Sequence, residues 1–426
     1  MRPTVFAFPG LERLIYGQPA ATALAAEVDR LRAKRVFLVV SGTMNRTTDA
    51  VEKLRVALGD RYAGRYDKVP PFNPRSAVLE AAALAREAGT DLVVTFGGGS
   101  VTEAGKILRL ALHHDIRTIE GFDPYRIIVH ADGTNATRAF EGPTMPQICI
   151  PTTLSAGELT SGGGATDERV KRKFSHGNPR FIPKSVIFDP LPTLHTPLWV
   201  WLSTGVRAID HATEGLCSPL SNPVSDGMYR HALHLLSRSL LRTKQDPSDI
   251  EARLESFYGI WLAIAGRHGG VEMGASHAIG HVLGGSCGVS HGYTSCVMLP
   301  HVLRFNRRAN EERQRWVAQA LGHPDEDAAD VLEQLIVDLG MPSRLADVGV
   351  GPDRFELIAN TVMHDRWLHT NPVKITSPEQ ILKMKIAITP GIERRFYEQD
   401  CDHYHHPPRF CGCWHLPTLF SLINVT

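Results

Sequence analysis

The chain has 426 residues, 43% of them hydrophobic and 21% charged, with a formal net charge of +1. That length suits two hydrophobic cores, and the composition is that of a soluble globular enzyme. The near-zero charge gives no field for nucleic acid or an anionic membrane, no apolar run reaches membrane-spanning length, and the N-terminus lacks a signal-peptide pattern, so a cytoplasmic location is expected.

In chain order, a helical apolar pattern covers residues 21–33 and a β-branched run follows at 36–40, closed by Ser41-Gly42. Residues 76–89 read as helix and feed a second buried strand at 92–96, which ends in Gly97-Gly98-Gly99-Ser100 before another helical pattern at 101–112. Further strands are expected at 148–150 and 186–188. Strands alternating with helices predict a parallel sheet with helices on both faces. After Asp189-Pro-Leu-Pro192 the pattern becomes helical, near 204–216, 224–242, 248–267, 273–284, 328–339 and 353–364. The expected organisation is therefore an α/β dinucleotide-binding domain over 1–192, an all-helical catalytic domain over 193–389, and an atypical tail over 390–426.

Of seven cysteines, Cys149, Cys217, Cys287 and Cys296 stand in apolar sequence and read as buried thiols. Cys401, Cys411 and Cys413 crowd the His-rich tail, where a single residue between Cys411 and Cys413 fits no standard zinc finger. An odd count without a signal peptide argues against a disulfide framework.

Two ends of the chain carry chemistry. Gly97-Gly-Gly-Ser100 lies between a strand and a helix, where glycine lets a pyrophosphate approach free N–H groups, although it is not the G-x-G-x-x-G pattern. Thr152 and Thr153 follow the next strand and can meet phosphate or ribose, and Lys173 can reach the same groups. At the other end, Arg207 and His211 are four apart on one helix, as are His277 and His281. His291 follows Gly284-Gly285, where a turn is expected to bring it back toward the other two histidines. Converging imidazoles can bind a metal or move protons.

Taken together and in this order, Gly97-Gly-Gly-Ser100, Pro151-Thr-Thr153, Arg207–His211, His277-x-x-x-His281 and His291-Gly292 resemble the iron-containing (group III) alcohol dehydrogenases over about residues 4–385. The resemblance implies a dehydroquinate synthase-like architecture with the active site between the two parts, and hydride transfer between NAD(P)H and a carbonyl or alcohol. It places His211, His277 and His291 at the ligands of a divalent iron or zinc, His281 beside nicotinamide and substrate, and Gly98, Gly99, Ser100, Thr152, Thr153 and Lys173 at the cofactor.

The family's aspartate ligand falls on Arg207, whose guanidinium cannot ligate a metal and stays charged. That disfavours a metal, although three histidines with an open position still suit zinc. Maleylacetate reductases form a branch that also lacks the acidic ligand, and the loop Pro151–Glu158 has their length. That branch implies an unsaturated oxo-dicarboxylate as a further substrate class. Arg207, His211 and His281 are thus the candidate catalytic residues, acting on a small molecule in an expected homodimer. Two other readings remain: a dehydroquinate-synthase-like lyase using NAD and zinc, and a degenerate member that binds nucleotide without turnover.

Overall fold

The computed structural model describes residues 4–8, 10–130, 135–136 and 138–386; the Cys- and His-rich tail lies outside them. The first part contains β1 (Arg13–Tyr16), α1 (Ala20–Leu31), β2 (Val36–Val40), α2 (Gly42–Thr47), α3 (Ala50–Leu58), β3 (Tyr62–Tyr66), α4 (Arg75–Glu87), β4 (Leu92–Gly97) and α5 (Gly99–His113). Next come β5 (Ile128–Val129), β6 (Asn135–Ala136), β7 (Gln147–Pro151), β8 (Gly162–Asp167), β9 (Arg172–Gly177) and β10 (Ser185–Phe188). The rest is helical: α6 (Leu198–Cys217), α7 (Pro223–Gln245), α8 (Ile250–Ala265), α9 (Ala275–Cys287), α10 (His291–Ala320), α11 (Ala328–Asp338), α12 (Phe355–Val362) and α13 (Pro378–Ile386).

Six strands form one sheet in the order β1-β10-β7-β4-β2-β3, and every pairing is parallel. β2 and β4 are buried along their whole length, which explains their unbroken apolar runs. Phe37, Val39 and Val93 point to one face and pack with α4 and α5, whereas Leu38, Val40, Leu92, Val94 and Phe96 point to the other, beneath α1 and α3.

Cys149 is in register with Thr95 and Val186, and so lies on the α5 face. There Cys149, Val186 and Phe188 join Leu154, Trp201, Val206, Leu236 and Phe257 in one core. The first helices of the C-terminal part therefore extend the layer that α4 and α5 begin. Two buried cations tie the seam. Lys106 Nζ, held down to about 8 by burial, donates to the carbonyls of Gly157, Thr160 and Gly162 at 2.6, 2.6 and 2.8 Å. Arg253 reaches from α8 to Thr193 O at 3.0 Å and lies over the Trp201 ring.

The structure departs from expectation in three places. Gly284-Gly285 does not turn; α9 runs on to Cys287, and the chain reverses at Gly288, whose φ of +69° is the left-handed conformation that ends many helices. His291 is consequently the first residue of α10. The last turn of α9 lifts from the core, leaving Gly285 and Ser286 exposed and Cys287 only half-buried. No helix is long and apolar enough to cross a membrane among the described residues.

Glycines in two helices test this packing with opposite signs. A Cβ on Gly105 of α5 would collide with Thr95 and come within 2.8 Å of Gln147 Nε2, both on the sheet beneath. Gly105→Ala should destabilise by about 1–3 kcal/mol through overpacking. Gly227 of α7 has nothing within 4 Å of such a Cβ, so Gly227→Ala should stabilise by up to about 1 kcal/mol. Urea unfolding midpoints of the two variants should move in opposite directions.

Candidate active site

At the C-terminal edge of the sheet, β4 ends on Gly97, whose φ of +156° lies outside the range most side chains accept. Its carbonyl accepts from Thr152 N at 3.0 Å, joining the turns that follow β4 and β7. A Cβ on Gly98 would lie 3.1 Å from Thr153 Cγ2, and one on Gly99 would lie 3.0 Å from Ser155 Oγ. Glycine backbone bordered by the Thr153 and Ser155 side chains lines this cradle, and Gly98 offers α5 no side-chain cap. The first-turn N–H groups at Gly99 and Ser100 suit phosphate oxygens, with the helix dipole adding to the attraction. Lys173, on β9, bonds to Glu103 Oε2 at 2.6 Å, while Glu103 Oε1 accepts from Gly164 N at 3.0 Å. The lysine is therefore anchored to α5 at the side of this cradle.

From here the loop after β7 touches α6. Leu154 N donates to Thr204 Oγ1 at 3.1 Å, one turn before Arg207. Arg207, Asp210, His211 and Glu214 then follow at the spacing that keeps them near one face of α6. Arg207 is buried, and its Nη1 donates to Ser295 Oγ of α10 at 3.0 Å. The same Ser295 hydroxyl donates to Asp210 Oδ2 at 2.6 Å, and Ser276 Oγ donates there at 2.9 Å. Asp210 thus balances Arg207 largely through a shared serine, with the direct Nη1–Oδ2 separation at 3.6 Å. Gly280 of α9 permits the approach, since its Cβ would sit 3.2 Å from Arg207 Nη1. Among the described residues, Arg207 Nε has no hydrogen-bond partner.

Glu214 spans from α6 to the start of α9. Its carboxylate accepts from the backbone N–H groups of Gly274, Ser276 and His277 at 3.0, 2.7 and 3.3 Å, capping a helix from a neighbouring one. Glu214 Oε2 is also 2.8 Å from His277 Nδ1, which leaves His277 Nε2 facing His211 Nε2 at 3.4 Å. Burial pushes the Asp210 and Glu214 carboxyls upward from their ordinary values. His211 and His277 are pushed well below the usual imidazole range, first by burial and then by Arg207. For His291 the Arg207 charge comes first and burial second. Near neutral pH these three rings are uncharged and Arg207 holds the local positive charge.

His281 completes the cleft. Its ring is exposed and runs parallel to His291 at 6.4 Å, with 5° between the planes. Asp365 Oδ2 lies 2.8 Å from His281 Nδ1, and Trp367 stacks on the ring at 4.8 Å. Trp367 also sets its edge against His277 at 5.3 Å. The sequence gives no local signal for Asp365 or Trp367, since they approach α9 from a distant segment. Glu214 does carry a signal, one helical turn past His211 on the face already marked by Arg207, but it was not among the candidates.

The family resemblance puts a divalent metal on His211, His277 and His291, an expectation that Arg207 disfavours. Among the described residues, the group whose ligand atoms all lie within 4.8 Å of one another is instead Asp210, Glu214 and His277. Both Glu214 oxygens there are taken by N–H groups, and His277 Nδ1 is committed to one of them. A dication at the three histidines would face Arg207, a cation that cannot deprotonate, with repulsion on the order of 5 kcal/mol at an effective dielectric of about 20. These residues do not fit a divalent ion, and no chemical step is assigned to one.

Residues 12–190 match the family model of iron-containing alcohol dehydrogenases, and residues 201–387 match the C-terminal model of the same Fe-containing family. The chain belongs to the iron-containing alcohol dehydrogenase family. It is 34% identical to the dehydrogenase ALT3 of Alternaria alternata, over 80% of this chain and 96% of that one. It is 29% identical to maleylacetate reductase 1 of Cupriavidus pinatubonensis, over 87% and 94% of the two chains. The crystal structure of maleylacetate reductase from Agrobacterium tumefaciens superimposes with a TM-score of 0.76 at 28% identity, covering 91% of this chain and 98% of that one. The protein is thus an oxidoreductase of this family.

Removing one member of the buried charge pair should be costly. Arg207→Met or Asp210→Asn alone should destabilise by about 3–5 kcal/mol, and the double variant by clearly less than their sum. A double-mutant cycle by urea unfolding measures the coupling. In Arg207→Met the His291 imidazole should also titrate at a higher pH than in the parent, as followed by proton NMR.

Proposed function

We propose that this oxidoreductase transfers a hydride between NAD(P)H and a small acceptor bearing a carboxylate, either an oxo acid or an unsaturated oxo-dicarboxylate of the maleylacetate type. The observation that carries the reading is Arg207: a buried guanidinium beside neutral histidines, with an Nε that no group among the described residues satisfies. A planar fork of N–H donors matches a carboxylate or an enolate oxygen. Kinship with proteins named maleylacetate reductase supports the same substrate class.

In this reading residues 1–192 hold the dinucleotide and 193–389 the acceptor. Gly98, Gly99 and Ser100 bind the pyrophosphate through backbone N–H groups, Thr152 and Thr153 line the same cradle, and Lys173 flanks it from Glu103. When bound, a reduced nicotinamide supplies a hydride to the acceptor carbon. Arg207 draws electron density toward the acceptor oxygen and stabilises the charge that develops there. His281, protonated, gives one proton to complete the two-electron reduction and regains it from solvent. His211 and His277, uncharged and linked, wall the cleft beside Arg207.

A screen of NADH and NADPH oxidation with maleylacetate, simple oxo acids and uncharged aldehydes tests this. Carboxylated acceptors should be preferred, and Arg207→Ala should lower kcat/KM for them by about 10²-fold or more, as expected for truncating a buried hydrogen-bonded charge. Turnover should survive chelation, with no stoichiometric metal in the purified protein. Essential bound metal, or equal activity on uncharged aldehydes, would overturn the reading.

A further inference from the structure

His281 is the histidine that its own helix does least to fix. It is 39% exposed on the side chain, and Asp365 and Trp367, which contact it, lie outside α9. Asp365 and Trp367 supply two different constraints on it. Asp365 is itself rigid: Oδ1 accepts from Trp367 N at 2.9 Å, and its own N–H donates to Val362 O at 2.9 Å. That leaves Oδ2 for His281 Nδ1, at 2.8 Å. A bond at one ring nitrogen fixes which way the imidazole is flipped and which nitrogen carries hydrogen in the neutral form.

Trp367 controls the tilt. The indole stacks on His281 with 29° between the planes, and it is buried. Its Nε1 donates to Glu272 Oε2 at 2.7 Å, so the ring cannot turn without breaking that bond. Arg267 and Arg366 lie over the indole at 5.3 and 4.9 Å, and both reach Glu272 as well, at 3.6 and 3.8 Å. The platform beneath His281 is therefore braced by Glu272, Arg267 and Arg366, none of them on α9.

We propose that Asp365 and Trp367 are positioning residues that hold His281 with Nδ1–H donated to the carboxylate and Nε2 presented to the acceptor. This rests on the reductase reading for the identity of the acceptor, but the ring state it specifies exists without turnover. In reduction the protonated ring releases its Nε2 proton to the acceptor atom while the carbon takes the hydride, and Asp365 keeps the Nδ1 proton throughout.

Nitrogen-15 NMR of histidine-labelled full-length protein tests the ring state. One histidine, identified by its loss in His281→Gln, should show a protonated Nδ1 and a bare Nε2. In Asp365→Ala that signature should shift to the reverse tautomer or to a mixture, while Asp365→Glu restores it. In kinetics, Asp365→Ala should lower kcat by about 10²-fold with KM changed less than threefold, the scale of a misplaced general acid. Asp365→Glu should recover at least tenfold of this, and Trp367→Phe should retain more activity than Trp367→Leu. The Asp365→Ala loss should vanish in a His281→Gln background. A His281 tautomer unchanged in Asp365→Ala, or losses that simply add across the two positions, would overturn the proposal. If no acceptor is reduced by the parent protein, the reductase reading fails and the NMR result still decides this one. Asp365→Asn, nearly isosteric, replaces the alanine variant should that one fail to fold.

Discussion

Arg207 is held between α6, α9 and α10, with Ser295 passing its charge on to Asp210. A buried guanidinium without such compensation would cost several kcal/mol, so the serine, the aspartate and the glycine at 280 form one requirement. The same charge depresses the basicity of the histidines nearby. The local positive charge is therefore that of a fixed, planar monocation. Its donors lie in one plane, so its hydrogen bonds are directional.

The two ends of the cleft are built on opposite principles. At the sheet edge the working surface is backbone: Gly97, Gly98 and Gly99 clear a space that Thr153 and Ser155 already border. At the helical end it is crowded with side chains that hydrogen-bond to one another across three helices. The contact between Leu154 and Thr204 sets the distance between the two. Lys106, bonded to three carbonyls of the segment after β7, keeps that segment from drifting.

Much of this was legible in the residues alone. The central strands announce themselves as unbroken apolar runs because both faces of the sheet are covered. The edge strand β3 and the partly exposed β1 lack such runs, so Tyr62–Tyr66 and Arg13–Tyr16 carry no comparable signal. Pro300 and a kink at the non-helical Asn310 interrupt α10, so no single helical period runs through His291–Ala320. Gly-Gly at 284–285 suggested a bend, yet the surrounding helix absorbs it, and the reversal falls on Gly288. Within the site, residues four apart on one helix could be paired by arithmetic. Ser295, Asp365 and Trp367 could not, because contacts across 84 or more residues depend on topology rather than spacing.

Glu214 carries a consequence for how this cleft can change. By taking three N–H groups of α9, it welds the start of that helix to α6. His211 and His277 therefore travel as a single body, whatever the rest of the protein does. His281 has a second allegiance, to the turn at Asp365 and Trp367. Any relative sliding of that turn would re-aim one imidazole and leave the other two in place. Altered acceptor preference is accordingly easiest to seek by remodelling the loop around residues 363–370, where the buried charge network need not be disturbed.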